Sequence, residues 1–417
     1  MFSSARRPPR RMAVRWAGTM ALALAITGCV DGTGAGPDRG KADSISVLDY
    51  YTDEPEHTQW NEVLAACGRR AGVRVEHMSV PPASLVPRVL RQASSRTLPD
   101  LLMLDNPDLQ QIAQTGALTP LDRYAIDTSG FAEGILSAGT YQGKVYGLAP
   151  YVSTVALFYN KDMLAEAGVA VPRTWAELKA AAARLTGPGR YGIAVDASAT
   201  FESTWQFLPF LWSNGGHENQ LDSPRAAQAL QLWVDLVKSG SMSKSVLNWT
   251  QADVHDQFAA KRTAMMINGP WRIPELNKDE NLHWGVAPVP VPRAGQTLVT
   301  PLGGEVWTVP QTSSEARQEK AAQVLACLNE SPNMLTLAEQ HFTVPSRAAV
   351  AARYAARNPS MTVFAESVRT ARVRTGVLGV RWPRAATGMY TAIQSALAGE
   401  QTPDEALRDA QHVATSD

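Results

Sequence analysis

The stretch Ile45-Ser46-Val47-Leu48-Asp49-Tyr50 opens a run of alternating strand and helix. It is a short apolar strand. Trp60, Val63, Leu64 and Cys67 then fall at i, i+3, i+4 and i+7, one face of a helix, and Gly72 marks its end. Val73 and Val75 alternate with Arg74 and Glu76 as a second strand. Residues 85–94 have helical spacing, and residues 101–104 are a third apolar run, bounded by Pro99-Asp100 and Asp105-Asn106-Pro107. Strand, helix, strand, helix, strand requires crossover connections and predicts a parallel sheet covered on both faces. The pattern recurs after Tyr151. Residues 155–159, 191–195 and 263–267 read as strands, and residues 174–185, capped by Thr174, 226–238 and 252–260 as helices. A Pro-rich connection, 288–301, precedes a strand at 306–309, and the remainder is mostly helical.

With 417 residues the chain has room for two or three domains. A hydrophobic fraction of 45% excludes a disordered chain, and 27 scattered prolines exclude a long coiled coil. Lys+Arg and Asp+Glu both number 39, which excludes a strongly basic nucleic-acid binder. The balance is uneven along the chain. Residues 1–28 hold five Arg and no acid, so a chain beginning at Cys29 carries 34 basic and 39 acidic groups, net −5. Arg outnumbers Lys 30 to 9, but the Arg residues are scattered and form no patch in the sequence, so we read the bias as genomic base composition.

Arg6, Arg7, Arg10, Arg11 and Arg15 precede an apolar run from Trp16 to Ile26, the form of a secretory signal. The run is shorter than the roughly 20 residues a membrane span needs. Ile26-Thr27-Gly28-Cys29 resembles a bacterial lipobox, which implies acylation of Cys29; the plainer alternative is an ordinary signal peptide with an incidental Cys. Arg10-Arg11 leaves twin-arginine export open beside the general route. Residues 30–43 are Gly-rich and without period, a tether of roughly 20 Å as a random coil. Cys67 and Cys327 each lie on an apolar helix face, as two buried thiols or as a bridge.

No G-x-S-x-G elbow, phosphate loop or H-E-x-x-H occurs, and the seven His are dispersed, so no cofactor or metal is expected. Chemically apt side chains fall instead at the carboxyl ends of predicted strands, where open α/β sheets bind ligands. Glu54 follows the first, Asp105 the third, and Asn268-Gly269-Pro270-Trp271 the strand at 263–267. Carboxylates accept from hydroxyls, Arg donates in a fork, and Trp offers a flat apolar face. A pyranose presents the complement of that set.

Several motifs resemble the family 1 extracellular solute-binding proteins, the sugar receptors of ABC importers. Leu98-Pro99-Asp100-Leu101 with the Gln114 to Asp122 segment is similar to the family's first-lobe signature. Gly143 to Pro150, Phe158-Tyr159-Asn160-Lys161-Asp162 and Pro172 to Leu178 follow in order, then Ala264 to Trp271 and Arg381-Trp382-Pro383 with Tyr390. The resemblance spans most of residues 44–410.

It implies an α/β, two-lobed, type 2 periplasmic-binding-protein fold that closes on ligand. Lobe 1 would comprise 44–152 plus 294–330 and lobe 2 would comprise 153–293 plus 331–417, with crossings near 150–154, in 288–301 and near Pro345. Trp271 and Trp205 would stack on sugar rings, Asp105 and Arg381 would bind hydroxyls, and Gly303-Gly304 would let backbone approach the ligand. Tyr390 matches a further aromatic position. Glu54 sits in Thr52-Asp53-Glu54-Pro55-Glu56, which matches no single sugar specificity. Trp60, Trp175, Trp212, Trp233 and Trp307 read as core.

The implied protein is a monomeric, non-enzymatic receptor on the outer face of the cell membrane. It would be tethered through lipidated Cys29, with a carbohydrate ligand, ABC permease subunits as partners and no nucleic acid. A receptor for a non-sugar solute, an extracellular glycosidase with paired carboxylates, and a structural surface lipoprotein are the alternatives.

Overall fold

A computed structural model describes residues 42–415. Cys29, the export signal and all but the end of the Gly-rich tract lie outside the described residues. Thirteen strands are named in chain order: β1 Ser44–Asp49, β2 Arg74–Ser79, β3 Leu101–Asp105, β4 Thr140–Tyr141, β5 Lys144–Val145, β6 Gly147–Leu148, β7 Tyr151–Val152, β8 Ala156–Asn160, β9 Tyr191–Ala194, β10 Thr263–Asn268, β11 Trp284–Ala287, β12 Glu305–Thr308 and β13 Val344–Pro345.

The first sheet has the order β2-β1-β3-β12-β6. Its apolar runs are buried on both faces. Ile45, Val47, Leu101 and Met103 meet Trp60, Val63, Leu64 and Cys67 of the helix Glu56–Ala71, together with the helix Glu315–Leu328. Leu48, Leu102 and Leu104 point the other way, onto Leu85 and Val89 of the helix Pro82–Ser95. A strand of alternating side chains that is apolar on both faces needs cover on both, and the helices supply it. The Glu56–Ala71 helix ends at Gly72, whose φ of 68° suits a residue without Cβ. Gly68 inside it lets the helix meet the sheet, since a Cβ there would stand 2.6 Å from Val75 Cγ2.

The second sheet has the order β11-β8-β10-β9. The helices Trp175–Leu185, Phe201–Ser213, Pro224–Lys238, Trp382–Ala398 and Pro403–Thr415 contribute to the core on one face. Val254 and Phe258 of the helix Gln251–Ala259 pack with Phe158 and Met266 on the other. Thr174 caps the Trp175–Leu185 helix reciprocally with Glu177, as its position before the apolar run predicts.

The expectation of parallel sheets needs correction. β1 is parallel to β2 and β3, but β12 runs antiparallel to β3, and β8 runs antiparallel to both β10 and β11. These reversed strands begin close after chain crossings, and a strand entering from the other lobe runs against its neighbours. The crossings form a small hinge of their own. β7 pairs antiparallel with β13, Ser153 exchanges both backbone hydrogen bonds with Gly303, and Thr154 Oγ1 donates to Pro301 O at 2.8 Å. A fourth segment, which the sequence did not reveal, joins them: Arg372 N donates to Thr300 O and Leu302 N to Arg372 O.

Two expected boundaries also move. Val299 N still donates to Ser213 Oγ at 3.0 Å, so the chain stays on the second lobe past residue 293. The helix Ser331–His341 belongs with the first sheet, because His341 packs against Trp60 and Tyr51, with ring centroids 5.7 and 6.1 Å away. Burial in that stack holds the imidazole down at about 4.

Cys67 and Cys327 form a disulfide across 260 residues, resolving the alternatives the sequence left open. It ties the Glu56–Ala71 helix to the Glu315–Leu328 helix. Chain-entropy arguments assign a closure of this length about 5 kcal/mol. Replacing both cysteines by Ser should therefore lower the melting temperature by roughly 5–10 °C in a calorimetric scan, and a reductant should lower the wild type alone. Equal melting temperatures would contradict that role.

Candidate functional site

The carboxyl ends of β1 and β3 and the start of β12 meet at one edge of the first sheet. Asp105, last in β3, stands directly across from Glu305, first in β12. Two carboxylates side by side need partners, and the chain supplies them. Tyr50 Oη, just past β1, donates to Glu305 Oε1 at 2.6 Å, and Arg374 Nη2 pairs with Asp105 Oδ1 at 2.7 Å. Burial still pushes the Glu305 carboxyl above the usual carboxylate range, the Tyr50 hydrogen bond pulls it back, and the charge of Asp105 adds to the rise. Asp108, one turn beyond β3, is pushed up to about 7, first by burial and then by Asp105, with Arg374 opposing.

Arg374 enters from the far end of the chain. Its guanidinium carbon lies 4.8 Å from the ring centroid of Trp205, and the residue is 6% exposed. Trp205 sits in the helix Phe201–Ser213, which no sequence period announces. Eleven consecutive residues of that helix are buried, so it has no polar face to give a period, and Pro209 lies inside it. Gly303 also lies against Trp205, where a Cβ would be 2.4 Å from Trp205 Cη2. The indole thus touches both Gly303 and Arg374 and is only 6% exposed. Trp205, expected to stack on a sugar ring, here lies against the Arg374 guanidinium and supports it.

Gly303 and Gly304, expected to let backbone approach a ligand, are closely packed by protein. A Cβ on Gly303 would collide with Trp205 and Ser153 Oγ, and one on Gly304, where φ is +110°, would stand 2.9 Å from Tyr151 O. Asn106 Nδ2 donates to Gly304 O at 2.9 Å and Leu302 O at 3.2 Å. These glycines serve close packing in the hinge, and the space beside them is already filled by protein.

The opposite wall is the end of β10. Asn268 Nδ2 donates to Gln251 O and its Oδ1 accepts from Gly269 N, which fixes the turn. Trp271 is half-buried, with its indole folded over Gly269, where a Cβ would lie 2.0 Å from Cη2. Next to it Arg272 has a buried Nε without a hydrogen-bond partner, and so does Arg374. The charge of Arg272 acts on Glu56 of the first lobe, so the two walls carry opposite charges within electrostatic reach of one another. Glu56 is pushed up to about 7 by burial and Glu305, with Arg272 opposing.

The remaining predicted residues stand apart from this set. Glu54 is exposed and accepts from Thr58 N at 3.3 Å, so it caps a helix start, and Glu56 is the acid that faces the other wall. Arg381 is exposed at the end of the short turn Gly379–Arg381; the cation on Asp105 is Arg374. Tyr390 packs on Phe201, 6.0 Å between centroids, one turn from Trp205. Nearby, a cavity of about 450 Å³ opens between the lobes, lined by Gln110 and Thr140 on one side and Thr375 and Leu378 on the other. Among the described residues no group of three or more His, Cys, Asp or Glu could hold a metal ion.

The family described as bacterial extracellular solute-binding protein matches residues 62–363. The chain belongs to that family. A putative binding protein of Brucella abortus (strain 2308) is 26% identical over 410 residues, covering 95% of this chain and 97% of that one. A maltooligosaccharide ABC transporter solute-binding lipoprotein of Streptococcus pneumoniae (serotype 4) is 24% identical over 70% of this chain and 71% of its own. Among solved structures, a Thermotoga lettingae ABC transporter solute-binding protein bound with alpha-D-tagatose superposes with a TM-score of 0.79 at 25% identity, covering 89% of this chain and 99% of that chain. The cyclic alpha-maltosyl-1,6-maltose binding protein of Arthrobacter globiformis gives 0.76 at 26% identity, covering 90% and 98%. The two sheets joined by the β7–β13 hinge are thus a two-lobed solute-binding protein.

A carboxyl raised in the folded state favours folding while it is protonated. Its contribution is intact below the ordinary carboxylate range and is lost as pH rises through about 7 for Asp108. Asp108→Asn should therefore melt at a higher temperature than wild type at pH 8 and at nearly the same temperature at pH 4. A difference independent of pH would show that Asp108 is not held protonated.

Proposed function

We propose that this solute-binding protein captures a mono- or oligosaccharide between its lobes and delivers it to the permease of an ABC importer. One observation carries the reading. The crevice presents an acceptor on Asp105 and carboxyls of raised pKa on Asp108 and Glu305, which donate when protonated, beside guanidinium Nε donors of Arg272 and Arg374 that have no hydrogen-bond partner. Each sugar hydroxyl both donates and accepts, so a run of vicinal hydroxyls satisfies such a mixed set, and a half-buried Trp271 offers indole surface to a pyranose face. The ligands named for the pneumococcal, Thermotoga and Arthrobacter relatives support a sugar. Binding occurs without turnover, and ATP hydrolysis belongs to another subunit. Arg381, Tyr390 and Glu54 are outer contacts in this reading, with Asp105, Trp271 and Arg374 at its centre.

Titration calorimetry with maltose, maltotriose, trehalose and tagatose tests this, alongside a peptide and glycerophosphocholine. One sugar should bind with 1:1 stoichiometry, and Asp105→Asn should weaken it by roughly 10–100-fold, the loss of a charge-assisted hydrogen bond. Saturation by the peptide or by glycerophosphocholine with silence from every sugar would contradict the assignment.

The lipoprotein relative and the Ile26-Thr27-Gly28-Cys29 motif support an anchor at Cys29 on the outer face of the cell membrane. Cys29→Ser should move the protein from the membrane fraction to the soluble fraction of expressing cells. Retention in the membrane fraction would remove the anchor.

A further inference from the structure

Arg372 and Arg374 lie two apart on the segment that connects the helix Thr362–Val368 to the helix Trp382–Ala398. Trp205 and Trp212 lie seven apart, two turns, on the helix Phe201–Ser213. The guanidinium carbon of Arg372 is 4.5 Å from the Trp212 ring, and that of Arg374 is 4.8 Å from the Trp205 ring. Each Arg also has a carboxylate, but of different origin. Arg372 Nη2 is 3.4 Å from Glu218 Oε1, a fully buried acid that also accepts from Trp212 Nε1 at 2.7 Å, all on the second lobe. Arg374 reaches instead to Asp105 at the carboxyl end of β3, on the first lobe. Between them the backbone is fixed to the hinge by the hydrogen bonds of Arg372 with Thr300 and Leu302.

We propose that residues 372–374 form a strap that latches the crevice in the absence of ligand, with Arg372 its anchor on the second lobe and the Arg374–Asp105 pair its releasable clasp. The chemistry of the two ends differs in the way this requires. The anchor is internal to one lobe, and Glu218 is 0% exposed. The clasp spans two lobes, and its acid is 33% exposed, open to solvent and to competing donors. A sugar whose hydroxyls reach both Asp105 and Arg374 replaces this contact with its own, so closure passes from protein to ligand without either charge being left bare. The clasp also sets the ligand-free population of the open form, and hence the apparent affinity, since a site that must first open binds in proportion to its open fraction.

This rests on the crevice being the binding site, so the test separates the two. Small-angle scattering of the ligand-free protein is recorded for wild type, Arg374→Gln and Asp105→Asn at 0.1 and 1 M NaCl, with maltotriose calorimetry run in parallel. The strap predicts that Arg374→Gln and Asp105→Asn each raise the radius of gyration, by roughly 0.5–1 Å on a compact value of about 21 Å. Combining them should add nothing further. Salt should expand wild type toward the variants and leave the variants unmoved. An identical radius for all proteins at both salt concentrations overturns the strap, whether or not maltotriose binds. Expansion with no binding of maltotriose, maltose, trehalose or tagatose in the calorimetric series keeps the strap and removes the sugar reading instead. If Arg374→Gln does not fold, Arg374→Lys and the salt series on wild type decide the matter, and a salt-independent wild-type radius counts against the strap.

Discussion

Asp105 stands at the end of a buried strand, directly across from a second acid on the next strand, and that crowding of carboxyls organises the space between the lobes. A carboxylate in this position needs a cation, and β3 brings none with it. The cation comes from Arg374, 269 residues later. An arginine brought into a buried place needs support for its flat faces, and Trp205 gives one of them. Trp205 in turn fits only because Gly303 has no side chain. Strand end, ion pair, indole and hinge glycine form a single chain of dependence running from one lobe to the other.

The same chain explains why the hinge is built as it is. Gly304 at a positive φ and Gly303 beneath the indole leave the crossing segments packed on one another, and Asn106 holds them to the first lobe through two carbonyls. Four crossing segments hydrogen-bonded together limit the relative motion of the lobes to a rotation about this patch, which is what opening and closing around a solute requires. Away from the hinge each lobe is held by its own core. The disulfide and the Trp60 aromatic cluster stiffen the first, and helices packed over β8, β9 and β10 fill the second.

Much of the architecture was legible where side chains repeat with a period. The stripe of Trp60, Val63, Leu64 and Cys67 named its helix because one face is buried and the other is wet, and all four are buried as the spacing requires. The strands at 45–50, 101–104 and 263–267 were read to within a residue or two of β1, β3 and β10. The helix Phe201–Ser213 left no such trace, because its polar Ser203, Thr204 and Gln206 are buried with the apolar residues and no wet face marks its turns. Strand direction was not legible either. Nothing in Val306 or Leu157 records that the chain reached them through a hinge.

The candidate site was legible by half. Asp105 and Trp271 stood out because strand ends are where such sheets hold ligands, and that rule needs only the local sequence. Trp205 stood out as a residue, but its contacts with Gly303 and Arg374 were not legible, since both are distant in sequence. Arg374 was missed. It lies in Val373-Arg374-Thr375-Gly376, a segment with no period and no motif, and its importance exists only once Asp105 is beside it. A crystal structure of the protein grown with a sugar that binds it is the most direct test. Density for a pyranose between the lobes is predicted, with hydroxyls within hydrogen-bond distance of Asp105 and of the Arg374 guanidinium and a ring face against Trp271. Sugar bound elsewhere, with the Asp105–Arg374 pair undisturbed and untouched, would contradict it.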